Sequence, residues 1–328
     1  MPKKLVNKKY ISSFSFLILL ISMIFALLVG SGLYGFGIDY YGAYIKGFEW
    51  NIARATFFNY LSYKISTLII NEVFIGVYLV TFILSLSTGF LIRNYLKFKQ
   101  INSLFFFLII FIITLHTWPI IMSTSNAMRQ GLAMSFVFLS LTSAINKNYY
   151  CLIIFSLITI LMHLSGLFLV ILIFLAIIFD IILKNSSHIN KVIINLIIGI
   201  LLFIIIHYLL NIFIIDEDFK PSRIIEADFR WAFVLIGFTY VLISFFVKSI
   251  LVNSFNLSVY FFFFSSLPFL VNELNWQYER LGMMMLIPYI LSFGVFLNKF
   301  SYKIYLIFAF ILLLFLTIYT GMYSIGLT

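Results

Sequence analysis

The sequence consists of long apolar runs separated by short clusters of charged residues. Of its 328 residues, 63% are hydrophobic and only 10% are charged. A helix needs about 20 apolar residues to cross the hydrocarbon core of a bilayer, which is about 30 Å thick. The pattern therefore predicts an all-α fold, a polytopic bundle of transmembrane helices, and excludes the water-soluble globular classes.

Hydropathy predicts about eleven spans in a single integral membrane domain that covers residues 1–328. The predicted spans are Ile11–Gly30, Leu68–Ile92, Ser103–Pro119, Ala127–Ile145, Tyr149–Met162, Gly166–Leu183, Val192–Ile215, Trp231–Val247, Leu257–Val271, Gly282–Leu297 and Ile304–Tyr323. The first span follows a cluster of lysines and lacks a signal-peptide cleavage pattern, so we predict an uncleaved anchor with a cytoplasmic amino terminus. The two longest outer loops are residues 33–67 and 216–230, and the first can hold an amphipathic helix around Trp50–Lys64.

The segment Tyr149–Leu183 is too long for one straight span and short for two. The tetrapeptide His163–Gly166 lies in its middle. We therefore predict a tight hairpin of two short helices that turns at this tetrapeptide. The alternative is one long tilted helix, which would invert the topology of everything downstream.

The charged residues support this topology. Lys and Arg in short loops favour the cytoplasm, and most of the 21 fall on the cytoplasmic side when there are eleven spans. Every acidic residue except Asp180 falls outside. The net charge of +10 is therefore a feature of the cytoplasmic face, and we predict no nucleic-acid partner.

Arginine is distributed differently from lysine. Arg93 is the only arginine on the predicted cytoplasmic side, where lysine suffices to hold loops against anionic lipid. A planar guanidinium is suited to gripping phosphate or carboxylate in a bidentate manner. The chemistry is therefore expected on the outer face.

No cofactor or metal is predicted. Cys151 is the only cysteine, so neither an internal disulfide nor a thiol metal cluster can form. His116 and His207 have no second ligand at helical spacing, and we interpret both as packing residues.

The candidate site residues lie at the outer ends of helices. Asn126, Arg129 and Gln130 share one helical face. Arg129 lies about 27 Å above Lys147 along its helix, and His163 lies about 24 Å above Lys147 along the next. Arg129 and His163 are therefore expected at similar depth. The alternatives are a snorkelling arginine and a satisfied core histidine.

Two further arginines lie at outer helix ends beside carboxylates. Arg230 follows Asp228, and Arg280 follows Glu279. Each could instead form a plain interfacial salt bridge. Together with Arg129, these residues would provide three cations at one level of the membrane.

The order of these features resembles the EpsG family of Wzy-type polysaccharide polymerases over most of the chain. The matching segments are Gly37–Tyr41, Asn71-Glu72, Asn126–Ala133, His163–Gly166, Asp228-x-Arg230 and Asn275-x-x-x-Glu279-Arg280. The resemblance implies a metal-independent polymerase of O-antigen, capsule or exopolysaccharide repeats. Such an enzyme is a multi-pass protein of the bacterial inner membrane, with its active site facing outward.

The resemblance also implies partners and roles. The substrates would be an undecaprenyl-diphosphate-linked glycan donor and acceptor, and a chain-length regulator and a flippase are candidate protein partners. The expected catalytic residues are Arg129, Arg230, Arg280 and His163. The expected substrate-binding residues are Asp39, Tyr40, Glu72, Asn126, Gln130, Asp228 and Glu279.

Two other functions stay open at this point. A different membrane glycosyltransferase or a glycan ligase would also use a polyprenyl-linked donor, and acids in its first outer loop, such as Asp39, would suit it. A flippase for lipid-linked oligosaccharides would also present cations to diphosphate. It should, however, carry charges near the membrane midplane, where these spans have almost none.

Overall fold

The computed structural model describes residues 8–34, 36, 57–70, 73–125, 127–213, 230–246, 254–272, 287–292 and 294–295. Its helices are α1 (Lys8–Gly30), α2 (Phe57–Ser66), α3 (Ile75–Phe98), α4 (Leu104–Leu115), α5 (Trp118–Ser125), α6 (Met128–Ile145), α7 (Tyr149–Met162), α8 (Leu164–Ile182), α9 (His188–Phe213), α10 (Arg230–Phe246) and α11 (Ser254–Val271). Residues 287–292 and 294–295 are helical as well. Two short strands, β1 (Ile69–Ile70) and β2 (Val73–Phe74), are the exception. The described part of the chain is thus mostly helical, as predicted.

Several of these helices can cross a membrane. Among the described residues, 4 segments are long and apolar enough: Ser13–Gly30, Ile75–Phe98, Met128–Ile145 and His188–Ile212. Shorter apolar helices accompany them at Leu104–Leu115, Tyr149–Met162, Gly166–Ile182, Val234–Phe246 and Leu257–Val271. The chain therefore has the features of an all-α membrane protein, and the number of eleven spans stays a prediction.

Two predicted span boundaries are wrong. The second span does not begin at Leu68, because β1 and β2 pair as an antiparallel hairpin and α3 begins only at Ile75. The third span does not continue to Pro119, because α4 ends at Leu115. Hydropathy counts apolar residues but does not distinguish a strand of β-branched residues from a helix. Proline lacks the N–H that would continue α4, and it is tolerated in the first turn of α5.

Helix α2 overlaps the predicted amphipathic helix. Residues 57–64 of that prediction are helical, and residues 50–56 lie outside the described part of the chain. The helix packs on α3, α6 and α7. It lies so close to α3 that a Cβ atom on Gly76 would come within 2.1 Å of the Ser66 carbonyl oxygen. Glycine is therefore required at the start of α3.

The chain forms two compact units. Unit one comprises Met1–Val170 and Phe300–Thr328, and unit two comprises Ile171–Lys299. The single membrane domain over residues 1–328 stays a prediction. The candidate residues that the structure describes with their side chains all belong to unit one.

Helix α3 is the centre of the described part of unit one, and α1 packs against it in the antiparallel direction. Near the start of α1, the Phe14 ring lies 3.5 Å from the Arg93 guanidinium. At its end, a Cβ atom on Gly30 would lie 2.3 Å from Cε1 of Tyr78. Small residues at such crossings let membrane helices approach closely. The absence of a side chain at Gly30 thus places the end of α1 against the first turn of α3.

Helices α3 and α6 run parallel, and α7 returns antiparallel to α6. A Cβ atom on Gly131 would lie 3.2 Å from Cγ1 of Val80 near the start of both α6 and α3. At their carboxyl ends, the amide of Asn146 donates to Oδ1 of Asn94 at 3.0 Å. Helices α6 and α7 pack along each other after the turn that joins them. The amino ends of α3 and α6 therefore lie at the same end of unit one.

Buried hydroxyl groups in this bundle are mostly satisfied by their own helices. Ser85 and Thr88 of α3 each donate to a carbonyl one turn earlier at 2.7 Å, and Ser135 of α6 does so at 2.9 Å. Such bonds leave no unpaired donor in an apolar environment. These small side chains therefore serve close packing between helices.

In unit two, α11 packs on α9 and α10. The amide nitrogen of Asn272 lies 2.9 Å from Nδ1 of His207, and the His207 ring stacks on Phe203 at 5.9 Å. His188 at the start of α9 bonds the Ser244 carbonyl oxygen through Nε2 at 2.8 Å. The Asn211 amide nitrogen lies 3.2 Å from Nε2 of His207, so side chains contact both edges of this ring, in agreement with the predicted packing role.

Tyr149–Leu183 contains two helices, and the break lies at the predicted place. His163 is extended, with φ −155° and ψ 134°, so α7 and α8 are not one continuous helix. A Cβ atom on Gly166 would lie 2.5 Å from the Thr159 carbonyl oxygen. Glycine thus permits the chain to turn close to α7. The antiparallel hairpin itself stays a prediction.

Candidate functional site

The N-cap residue of α6 provides no side-chain cap. This residue is Ala127, and the first turn of α6 contains no acidic residue. The Ala127 N–H donates to the Met122 carbonyl oxygen at 2.8 Å. The first N–H groups of a helix point outward and carry the positive end of the helix dipole. This end of α6 is therefore suited to an anion.

Arg129 is the second residue of α6 and is half-buried. A cation in the first turn of a helix is repelled by the dipole, at a cost of about 0.3–1 kcal/mol. The first turn of α6 itself contains no acidic residue. A guanidinium beside the first N–H groups of a helix can provide two kinds of donor for one phosphate. The arrangement is what an anionic ligand would require.

Gln130 is the third residue of α6 and is only 4% exposed. Its Oε1 atom is buried and has no hydrogen-bond partner. A glutamine at this position often bonds the N–H of the N-cap residue, but that N–H of Ala127 is already bonded to Met122. A buried amide oxygen without a donor costs about 1–3 kcal/mol. A ligand hydroxyl or N–H group would remove that cost.

Gly131 lets α5 and α6 pack closely against each other. A Cβ atom here would lie 2.1 Å from the Ser123 carbonyl oxygen of α5. The second half of α5 thus lies directly against the first two turns of α6, where Ser123 Oγ also contacts Met134 Sδ at 3.8 Å. The order Arg129-Gln130-Gly131 therefore combines two polar side chains with a close helix contact.

His163 lies at the carboxyl end of α7, as its C-cap residue. Its N–H donates to the Thr159 carbonyl oxygen at 3.2 Å, and its carbonyl oxygen accepts from Gly166 N–H at 2.8 Å. The imidazole is half-buried. The backbone at this break is thus held by hydrogen bonds on both sides.

Arg129 and His163 lie at the same end of the α6–α7 pair, as predicted. The rings of Phe136 and Phe155 are 6.2 Å apart and give the register of the two helices. Arg129 is about 10 Å along α6 from that contact, and His163 is about 12 Å along α7, both in the same direction. Their backbones are therefore level to within about one helical turn.

His116 is a further histidine near this end of unit one. Its Nδ1 lies 2.8 Å from the Ile112 carbonyl oxygen. Because a carbonyl can only accept, Nδ1 carries the proton and Nε2 has a lone pair in the neutral ring. The ring contacts Phe25 and Tyr34 edge-on, each at 5.8 Å, and burial raises the pKa of the Tyr34 hydroxyl. These contacts agree with the predicted packing role.

Most of the other predicted site residues are not described. Arg230 begins α10, but its side chain lies outside the description. The following lie outside the described residues altogether: Asp39, Tyr40, Glu72, Asn126, Asp228, Glu279 and Arg280. The structure therefore places Arg129, Gln130 and His163 at the same end of the α6–α7 pair and leaves the remaining assignments as predictions.

The sequence reasoning missed two features of this site. It did not identify Ala127 as the N-cap residue of α6, although alanine is known to be a poor N-cap residue. It also gave Gly131 no role, although a glycine inside a helical pattern often marks a close contact.

Across the described residues, no three His, Cys, Asp or Glu side chains converge in a way that could hold a metal ion.

Comparison with known proteins gives no relative. No protein-family model matches the chain, and no curated protein or solved structure shows significant similarity to it. The function is therefore argued from the site itself.

Proposed function

We propose that this chain is a Wzy-type polymerase of lipid-linked oligosaccharide repeat units. The observation that carries the proposal is the amino end of α6, where the N-cap Ala127 provides no side-chain cap and where Arg129 and the unpartnered amide oxygen of Gln130 lie level with His163. A diphosphate with sugars attached is a ligand that a guanidinium, an amide oxygen and an imidazole at one level could bind together. The donor and acceptor would be undecaprenyl-diphosphate-linked glycans at the outer face of a bacterial inner membrane.

The reaction needs a stabilised leaving group. The acceptor hydroxyl oxygen attacks the anomeric carbon of the donor, and the bond from that carbon to the diphosphate oxygen breaks. Negative charge then accumulates on the departing diphosphate. The Arg129 guanidinium and the N–H groups of α6 would stabilise this charge in a site of low dielectric constant. Arg230 and Arg280 are the other arginines proposed for this role.

The acceptor hydroxyl must lose its proton as the new bond forms. His163 is the proposed general base, because an imidazole titrates near neutral pH and can accept this proton. Gln130 would accept a hydrogen bond from a sugar hydroxyl or carrier-linked amide. Asp39, Tyr40, Glu72, Asn126, Asp228 and Glu279 are proposed to bind the glycans.

The test is a set of point variants in the native host, scored by surface glycan length. Arg129→Ala and His163→Ala should reduce the polymer to single repeat units at normal protein abundance. Arg129→Lys should restore only part of the chain length, because an ammonium keeps the charge but loses the bidentate geometry. Lys64→Ala, which removes an exposed cation of α2, is the matched control and should leave chain length unchanged.

The outcomes separate the competing functions. Full-length polymer in both Arg129→Ala and His163→Ala would contradict the site assignment. Complete loss of repeats from the surface after deletion of the whole gene would indicate a flippase or an early transferase. Intact polymer that remains on its lipid carrier would indicate a ligase.

A further inference from the structure

A second cationic surface lies at the end of unit one opposite Arg129. The last turn of α3 carries Lys97, and the turn after α6 carries Lys147, and both side chains are exposed. The Asn146 amide donates to Asn94 at 3.0 Å, so these two helix ends are joined. The two lysines therefore belong to one continuous surface.

The neighbouring sequence supplies no carboxylate to neutralise this surface. Residues 73–179 contain no Asp or Glu. The Lys99 ammonium lies 5.5 Å from the Tyr95 ring centre and 5.7 Å from that of Phe98, and such contacts attract a cation. The partial negative charge at a helix carboxyl end is about half a unit. Lys97 and Lys147 at these two helix ends therefore add positive charge in a stretch of sequence that contains no carboxylate.

Lys147 occupies a backbone position that normally belongs to glycine. Its φ is 56°, in the left-handed region. Its N–H donates to the Ala144 carbonyl oxygen at 3.1 Å, and the Asn148 N–H donates to Ser143 at 2.9 Å, which is the Schellman pattern that ends a helix. Glycine has no steric penalty in this conformation, whereas lysine does. The chain thus keeps an ammonium here at a cost in stability.

The end of α3 provides a matched case. Gln100 has φ 59°, and its N–H donates to the Lys97 carbonyl oxygen at 3.0 Å, while the Ile101 N–H donates to Leu96 at 2.9 Å. Both helices therefore end in the same motif with a residue other than glycine. Only the α6 motif carries a charge at that position.

Exposed aromatic side chains flank these cations. Tyr149 is 51% exposed, Tyr150 is 76% exposed and Phe98 is 41% exposed. Tyrosines with exposed rings are typical of the region where lipid headgroups meet acyl chains. Cations beside such aromatics are placed at the depth of lipid phosphates.

We propose that the joined carboxyl ends of α3 and α6 bind the headgroup of an anionic phospholipid. Lys97 and Lys147 contact the phosphate, and Tyr149 and Tyr150 lie beside the glycerol region. The site is separate from Arg129, and the proposal does not depend on the polymerase activity.

The test uses the purified full-length protein in neutral detergent, with phosphatidylglycerol or phosphatidylcholine added. The wild type should retain phosphatidylglycerol in native mass spectrometry and show a higher Tm with it than with phosphatidylcholine. Lys147→Gly should lower the apparent affinity for phosphatidylglycerol about fivefold, which corresponds to about 1 kcal/mol for one cation near an anionic surface. Lys147→Arg should retain the wild-type affinity.

Gln100→Gly is the matched control. It relieves the same backbone strain as Lys147→Gly without changing the charge, so both variants should raise Tm in lipid-free detergent and only Lys147→Gly should weaken lipid binding. Lys147→Gln removes the charge but keeps a side chain, and it replaces the glycine variant if that one misfolds. Equal responses to the two lipids in the wild type, or an unchanged affinity in the Lys147 variants that lack the charge, would overturn the proposal.

Discussion

Two adjacent residues at the start of α6 conflict with local rules of stability. Arg129 places a cation at the positive end of a helix dipole, and Gln130 buries an oxygen that has no partner. Natural sequences tolerate such conflicts mainly at functional sites, where a ligand compensates for them. The buried Gln130 oxygen without a partner is therefore itself an argument that a ligand binds at this position.

Gln130→Leu should stabilise the protein and impair its function. The substitution removes a buried amide oxygen that has no partner from the start of α6, and we expect a gain of about 1–3 kcal/mol. Thermal unfolding in detergent measures the gain, and glycan length measures the loss. Ser135→Ala on the same helix removes a hydroxyl that already donates to Gly131 at 2.9 Å, so it should change neither by much. A less stable Gln130→Leu variant would contradict the account of the orphan oxygen.

At the scale of helices, close contacts made possible by glycine determine the geometry of the site. Glycine lets the Ser123 carbonyl of α5 lie against α6 at position 131, and it lets the chain turn beside Thr159 at position 166. In both places the neighbouring atom belongs to the backbone and cannot rotate away. The positions of Arg129 and His163 therefore depend on two residues that carry no chemistry.

Gly131→Ala should move α5 away from α6. The added methyl group would meet the Ser123 carbonyl oxygen at 2.1 Å, and overpacking of this kind costs about 1–3 kcal/mol. We expect a lower Tm together with reduced polymer length. Gly89→Ala is the comparison, because its nearest neighbour is a methyl group of Ile18 at 2.7 Å, which can shift. Equal losses in both variants would show that backbone contact is not the reason.

For the whole molecule, the prediction concerns which end of unit one faces outward. The predicted topology puts Lys64 and Arg129 outside and Lys147 inside. In the described structure, Arg129 and Lys147 lie at opposite ends of α6. This agrees with the prediction that they lie on opposite sides of the membrane. The absolute orientation follows only from the distribution of lysine and arginine among the loops.

Cysteine labelling in intact cells tests the orientation. In a background where Cys151, the only cysteine, is replaced by alanine, Lys64→Cys should react with a membrane-impermeant maleimide from outside. Lys147→Cys should react only after the cells are permeabilised. Both side chains are exposed, so burial does not limit either reaction. The reverse pattern would invert the topology and with it the proposed location of the active site.

The sequence predicted some elements of this fold well. Helices α6 and α7 lie within one residue of their predicted boundaries, because Asn148 and the polar residues around it interrupt two apolar runs clearly. The break at His163 was also predicted. The β1–β2 hairpin was not predicted. Its Ile and Val residues continue the apolar run of α3, and hydropathy does not distinguish apolar strand residues from apolar helix residues.

The candidate site was predictable in position but not in detail. Helical rise alone placed Arg129 and His163 at one level. The unpartnered oxygen of Gln130 is linked to the bond between the Ala127 N–H and the Met122 carbonyl oxygen, a turn at the end of α5 that hydropathy does not predict. The packing of Ser123 against Gly131 is a tertiary contact, and no local pattern encodes it.

The described helices of unit one also have a consequence for biosynthesis. Their packing, from the crossing of α1 and α3 to the return of α7, is made between residues 8 and 162. A ribosome makes these residues in order, at about 5–20 residues per second. The amino end of α6 can therefore form at the translocon while the later helices are still being synthesised. The same holds for the placement of Arg129 and His163 at one level.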